Sequence, residues 1–383
     1  MSALAAGGSS SGGAPGGVAA RQTWLDAARG LAVLLVVAAH VVDFVSMRGT
    51  RAEMLEPPLH VIQTMRIPAL FFLAGVLFAP YLERSWRLVV RNRVLLFSWL
   101  LVLWLVVERL VDVALMRADP PSLADLGAYV GRWFLFPDHN LWFISGVLLM
   151  CVIARLLARV RWVLVVLVLV LVSGCLPTLP LGPLTGLYVA KAPFFLVGVL
   201  ASRLVLVHGR RISLHVAVLL VLLFVPFGVL RSLGVTGVLP SAAASALVAL
   251  VGLPSIVGAG RLLAASPLGR PAAFIGRRTL PVYLVHYPLA LLAFRALDLG
   301  WGWSVVERPY VTAFVLVPGL VLVALLVSYL SRLSRQRWLF ATPSALLALF
   351  DRVWRPRAPV AAPTGLGWTG ERAEEGGGPS RQG

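Results

Sequence analysis

Ten long apolar runs, separated by short loops rich in charge, proline or glycine, constrain this chain more than any other feature. They lie at roughly 25–47, 60–80, 94–116, 141–154, 162–176, 185–202, 212–230, 241–260, 279–297 and 309–331. About 20 consecutive apolar residues are what a helix needs to cross a bilayer. A membrane barrel would instead show short segments of alternating polarity, and these runs are continuous. Hydrophobic residues make up 59% of the 383 and charged residues 13%, against about 25% charged in a soluble domain. A water-soluble enzyme has no way to bury that much apolar surface. The expected fold is therefore all-α: a polytopic membrane helix bundle of about ten transmembrane helices.

The formal net charge of +18 comes almost entirely from arginine, because Lys191 is the one lysine. In a membrane protein such an excess marks cytoplasmic loops rather than nucleic-acid binding. With the N-terminus inside, fourteen arginines fall in the inner loops (84–93, 155–161, 203–211 and 261–278). Six fall in the outer loops: Arg48, Arg51, Arg117, Arg132, Arg231 and Arg308. Both termini are thus expected in the cytoplasm of a multi-pass protein of the inner (plasma) membrane. Residues 1–20 are Gly/Ser/Ala-rich with no basic-then-apolar leader and read as a disordered tail. Residues 21–338 form the expected transmembrane domain, and 339–383 a C-terminal cytoplasmic segment lacking a core-forming pattern after about 357. No internal repeat is evident, which weighs against an inverted-repeat transporter. Cys151 and Cys175 have no metal-ligand or disulfide spacing, and neither a metal nor a tightly bound cofactor is expected.

Ionisable residues inside apolar runs are costly and mark function by default. The first run holds Asp26, Arg29, His40 and Asp43. Arg29 and His40 are eleven residues apart, about three turns and roughly 16 Å along one helix face. Asp26 can pair with Arg29, and Asp43, three residues after His40, can orient the imidazole. A histidine at that depth can act as a general base; it can equally hold two helices together by a hydrogen bond. Arg66 sits inside the second run, with Pro68 expected to kink or break the helix after it. Arg84, Arg87 and Arg91 recur at i, i+3 and i+7. On one helix face they suit a nucleotide phosphate or, as an ordinary topology signal, lipid headgroups. His139, Asn140 and Trp142 open the fourth run at the outer interface, and His286 lies in the ninth between Tyr283 and Tyr287. Glu108–Arg109 reads as structural, while Lys191, just before Pro193, has no evident partner. Two classes of function accommodate these residues: an enzyme built around His40, or a transporter or flippase for a glycan or lipid.

Four motifs in order resemble the acyltransferase-3 family of integral membrane acyltransferases. They are L-D-x-x-R-G-x9-H (Leu25 to His40), R-I-P-A-L-F-F-L-A-G (66–75), L-W-F-I (141–144) and V-Y-L-V-H (282–286). The resemblance covers roughly residues 22–335 and is nearest to the subgroup resembling glucans biosynthesis protein C. It departs from the family pattern at Ile67 and Ala74, and L-W-F-I-S-G at 141–146 carries no mid-chain glutamate. The resemblance implies transfer of an acyl group, acetyl- or succinyl-type, from acyl-CoA as co-substrate to a hydroxyl of a carbohydrate or other cell-surface acceptor. The expected catalytic residues are His40, Arg29, Asp43 and His286. The expected substrate-binding residues are Arg66, Arg84, Arg87, Arg91, His139, Asn140, Trp142 and Tyr283. The other expected partner is the lipid bilayer.

Overall fold

The computed structural model describes residues 22–47, 56–134, 137, 139–160, 162–163, 165–166, 183–232, 241–298 and 309–354, and every regular element among them is helical. The helices are α1 (Thr23–Ser46), α2 (Glu56–Phe78), α3 (Trp86–Ala114), α4 (Leu123–Trp133), α5 (Trp142–Leu156) and α6 (Pro183–His208). They continue as α7 (Leu214–Ser232), α8 (Ser241–Ala265), α9 (Gly269–Gly276), α10 (Thr279–Ala296), α11 (Pro309–Leu333) and α12 (Ser344–Val353). Nine of the ten expected runs coincide with a helix; the fifth, at 162–176, and Cys175 within it lie almost wholly outside the described residues. Four stretches are long and apolar enough to cross a membrane: Thr23–Ser46, Trp86–Ala114, Ala190–His208 and Phe314–Leu333. Shorter apolar helices occupy Met65–Tyr81, Trp142–Leu156, Leu214–Pro226 and Gly252–Ala265.

The first helix lies at the centre. It packs against α2, α8, α9, α10 and α11, and it is apolar nearly all round, as a helix enclosed on every side must be. Small residues allow the close approaches. A Cβ on Gly30 would strike the Ala272 backbone oxygen, and one on Gly276 the Asp26 oxygen, so α9 lies directly against the start of α1. Close backbone contact through glycines is the usual way to pack helices where no hydrophobic effect drives them together.

The tightest pairing, α2 on α6, exposes a feature absent from the expected organisation. Residues 71–77 read F-F-L-A-G-V-L and residues 194–200 read F-F-L-V-G-V-L. The two copies pack on each other reciprocally: a Cβ on Gly75 would meet the Phe195 carbonyl oxygen, and one on Gly198 the Phe72 carbonyl oxygen. The helices run parallel, because Glu83, five residues past the end of α2, pairs with Arg203 near the end of α6 at 3.5 Å. The rings of Phe71 and Tyr188 both rest on Gly146 of α5. A short direct repeat is therefore present, corrected from the expectation of none; being direct, it lends nothing to an inverted-repeat architecture.

Two local expectations change. Pro68 neither breaks nor ends α2, which continues to Phe78. The basic stretch is not one regular helix face: Arg84 lies in the bend before α3, Arg87 is in its first turn, and Arg91 falls in a π-helical segment, Val90–Val94. The wider π turn shifts side-chain register, so the i, i+3, i+7 alignment does not hold. Between α3 and α5, α4 is an exposed helix with a reciprocal cap, in which Ser122 Oγ accepts from Asp125 N at 3.2 Å and Ser122 N donates to Asp125 Oδ2 at 3.1 Å. A separate compact unit starts at Ser344, and its described part is α12, whose Phe350 packs on Trp354.

Candidate active site

Arg29 and His40 both belong to α1, which fixes their separation at about 16 Å along the axis. At the Arg29 end, Asp26 is buried and holds two guanidinium groups, Arg29 at 3.4 Å and Arg277 at 3.8 Å. Gly30 sits beside them because α9 leaves no room for a side chain there.

At the other end of the helix a second histidine meets the first. His40 Nδ1 lies 2.9 Å from His286 Nε2, with the rings stacked at a centroid distance of 5.1 Å. His286, fully buried, places its own Nδ1 2.7 Å from the Tyr283 carbonyl oxygen and 3.1 Å from that of Val282. A carbonyl only accepts, so the hydrogen-bond network assigns the proton of neutral His286 to Nδ1 and leaves Nε2 as an acceptor. His40 must then donate from Nδ1, and its Nε2 carries the free lone pair. Spacing along α1 pointed to Asp43 as the orienting group; the hydrogen bond comes instead from α10, a long-range partner that local spacing has no means to show.

Behind this pair, Asn140 and Tyr283 clasp each other. Asn140 Nδ2 donates to the Tyr283 carbonyl at 3.0 Å, and the Tyr283 hydroxyl donates to the Asn140 carbonyl. The Tyr283 carbonyl thus receives both Asn140 and His286. Asn140 and Tyr283 are 2% and 3% exposed, and each is tied to the other's backbone carbonyl. Trp142 is half-buried against Phe71 and Tyr188. The side chain of His139, at the start of the turn His139–Leu141, lies outside the described residues.

Arg66 enters from α2 and is the charged group common to the region: its field acts on His40, Asp43, Tyr283, His286 and Lys191. Its Nη1 is buried without a hydrogen-bond partner. Asp43, half-buried one turn beyond His40, has Arg66 as its charged neighbour.

A cavity of about 180 Å³ runs beside these residues, walled by Leu70, Leu73, Ala74, Phe97, Val147 and Cys151 among others, with Arg29 and Arg93 at its polar margin and Tyr283 at another. His40 is not among its walls; Tyr283, which is, has its ring centroid 5.7 Å from that of His286. Arg93 was not singled out from sequence. It stacks over the Tyr81 ring at 4.5 Å, and the π-helical segment that turns it toward the cavity has no simple sequence signature. Arg84, Arg87 and Arg91 do not line the cavity; Arg84 is exposed, and its carbonyl accepts from Arg155 at 3.1 Å. Glu108 and Arg109 diverge, Glu108 being buried toward Tyr283 and Arg109 donating to the Asp119 carbonyl at 3.3 Å. Among the described residues no group of His, Cys, Asp and Glu forms a metal-ligand set.

The sequence pattern of the acyltransferase-3 family, described as an acyltransferase domain, matches residues 22–333. No curated protein and no solved structure shows significant similarity to the chain. The matched stretch begins just before α1 and ends with α11, so it contains both histidines, Arg29, Arg66 and the cavity. The chain belongs to the acyltransferase-3 family, and it is a membrane acyltransferase.

Proposed function

We propose that this acyltransferase moves an acyl group, acetyl- or succinyl-type, from acyl-CoA to a hydroxyl of a carbohydrate or other cell-surface acceptor, with His40 as general base. The observation that carries the proposal is the His40–His286 bond at 2.9 Å, which leaves His40 Nε2 free to accept a proton. In the reaction, Nε2 takes the acceptor hydroxyl's proton as the oxygen attacks the thioester carbonyl carbon. The C–S bond then breaks, the ester forms, and the proton passes to the departing CoA sulfur. His286 acts through His40 as a positioning residue, holding the ring and its tautomer as the buried partner of a catalytic histidine does.

The cavity supports a route for the thioester arm, with Arg29 and Arg93 near its cytoplasmic end and the Tyr283–His286 segment near the reacting end. The basic residues Arg84, Arg87 and Arg91 supply positive charge for CoA phosphates on the same side. Arg66 supplies positive charge that holds the substrate beside His40. Direct transfer fits better than a covalent intermediate, since Cys151, the buried thiol lining the cavity, has the Arg93 guanidinium, a cation and not a base, as its charged neighbour.

The reading includes ten spans in the cell membrane with both termini cytoplasmic, a transmembrane domain over 21–338 followed by a cytoplasmic segment, and kinship with the glucan-modifying subgroup. A glycan or lipid flippase uses the same buried charges, but membership of an acyltransferase family favours the enzyme. The test is to incubate the purified full-length protein with acetyl-CoA or succinyl-CoA and an envelope oligosaccharide. Free CoA thiol should appear together with a new ester by mass spectrometry. Counterflow of the saccharide in proteoliposomes with no thioester consumed would instead establish the flippase.

A further inference from the structure

Each copy of the repeated segment is preceded on its own helix by a cation. Arg66 lies nine residues before Gly75, and Lys191 seven before Gly198. Each is followed two residues later by a proline, Pro68 and Pro193, within its helix. The reciprocal glycine contacts set α2 and α6 level at Gly75 and Gly198. From that crossing, the helical rise puts Arg66 about 13 Å and Lys191 about 10 Å along the two parallel axes, at nearly the same height. They also lie on the same side of the crossing as Tyr188, at the end of the bundle that holds the histidine pair.

Among the described residues no group neutralises both cations. Arg66 has one carboxylate acting on it, Asp43, and leaves Nη1 buried and unbonded. Lys191 has the Phe194 ring at 6.0 Å and a like charge, Arg66, as its charged neighbour. Holding two like charges together among apolar helices is unfavourable unless a counter-charge arrives. Lysine is also the residue this chain otherwise avoids, and Lys191 is its sole example.

We propose that Arg66 and Lys191 form a paired cation site for an anionic group, a carboxylate or a phosphate, on the substrate handled at His40. The proposal rests on acyl transfer at His40 and specifies the substrate class. The anion belongs either to a dicarboxylic acyl group, whose free carboxylate would sit between the cations while its thioester faces the base, or to a phosphorylated acceptor. The glycine contacts bring the two helices together, and Lys191 has Arg66 as its charged neighbour across them.

The test uses the full chain in detergent, with thermal unfolding followed at constant ionic strength as succinate, inorganic phosphate or the neutral erythritol is added. Wild type should show a saturable rise in unfolding temperature with succinate or phosphate and none with erythritol. A response to succinate assigns the anion to the acyl group, and one to phosphate assigns it to the acceptor. Lys191→Met should weaken the response by about tenfold or more, the loss of one charge-assisted contact, and Lys191→Arg should retain it. Without added anion, Lys191→Met should unfold at the same or a higher temperature than wild type. No rise in wild type, or an equal rise in Lys191→Met, overturns the site. Thiol release from acyl-CoA is measured on the same samples. A Lys191-dependent anion response without thiol release removes acyl transfer and leaves the cation site; thiol release with a response indifferent to Lys191 removes the cation site alone.

Discussion

His286 Nε2 accepts a hydrogen bond from His40 Nδ1 across 2.9 Å, joining α10 to α1 between residues 246 positions apart in the chain. Because His286 is itself tied to the Tyr283 carbonyl, the pair has one consistent proton arrangement, and it points the basic nitrogen of His40 away from the helix contact. Removing the acceptor should therefore cost rate rather than binding. His286→Phe is expected to lower kcat about a hundredfold, within the range for general-base catalysis and tautomer control, with KM for acyl-CoA little changed. His286→Gln, whose side-chain oxygen can accept the same bond, should recover part of the loss. Equal kcat in all three proteins removes His286 from the mechanism.

The glycine crossing predicts a stability effect separable from chemistry. Gly75→Ala and Gly198→Ala each drive a methyl into a facing carbonyl, of Phe195 and Phe72 respectively. Each should destabilise the folded protein by about 1–3 kcal/mol, the usual cost of overpacking, seen as a lower unfolding temperature in detergent. Gly127 and Gly131 on α4 face open space, and alanine there should leave that temperature unchanged or raise it, since alanine favours helix over glycine.

Filling the cavity should weaken donor binding. Ala74→Phe places a ring among Leu70, Leu77 and Val147, so KM for acyl-CoA should rise several-fold while His40 and His286 stay in place. An unchanged KM would show that the donor does not use this cavity.

The cap on α4 carries a pH signature. Asp125 accepts from the Ser122 hydroxyl at 2.6 Å and from its amide at 3.1 Å, and these bonds hold its carboxyl below the ordinary value, with the Arg109 charge a lesser cause. A depressed native pKa stabilises the helix above the ordinary carboxylate value of 3.8 and is lost as pH falls through the lower native one. Hydrogen exchange of residues 123–133, corrected for intrinsic rates, should show protection holding from neutrality down to that range and failing below it. Asp125→Asn should be less protected already at neutral pH; identical protection in both proteins would contradict the cap's role.

Much of the fold was legible because apolar run length and helix length answer to the same bilayer thickness. Arg29, His40 and Asp26 were readable for a related reason: they share one helix, where spacing gives position. What spacing did not give was partnership across helices. Asp43 looked like the orienting group because it is three residues from His40, whereas His286 is in contact only through the packing of α1 on α10. Arg84, Arg87 and Arg91 looked aligned because regular helix was assumed, and a π-helical segment at Val90–Val94 undoes that register while turning Arg93 inward. The repeat at 71–77 and 194–200 is seven residues long, too short to stand out among apolar runs, and the reciprocal glycine contacts are what reveal it.

The central claim is that His40 removes the acceptor's proton. The direct measurement is thiol release from acyl-CoA, coupled to ester formation on the acceptor, by wild type and His40→Ala purified side by side and matched for unfolding temperature. Loss of a general base should lower kcat by about 10²–10⁴-fold, with acyl-CoA still bound. Full ester formation by folded His40→Ala would contradict the account.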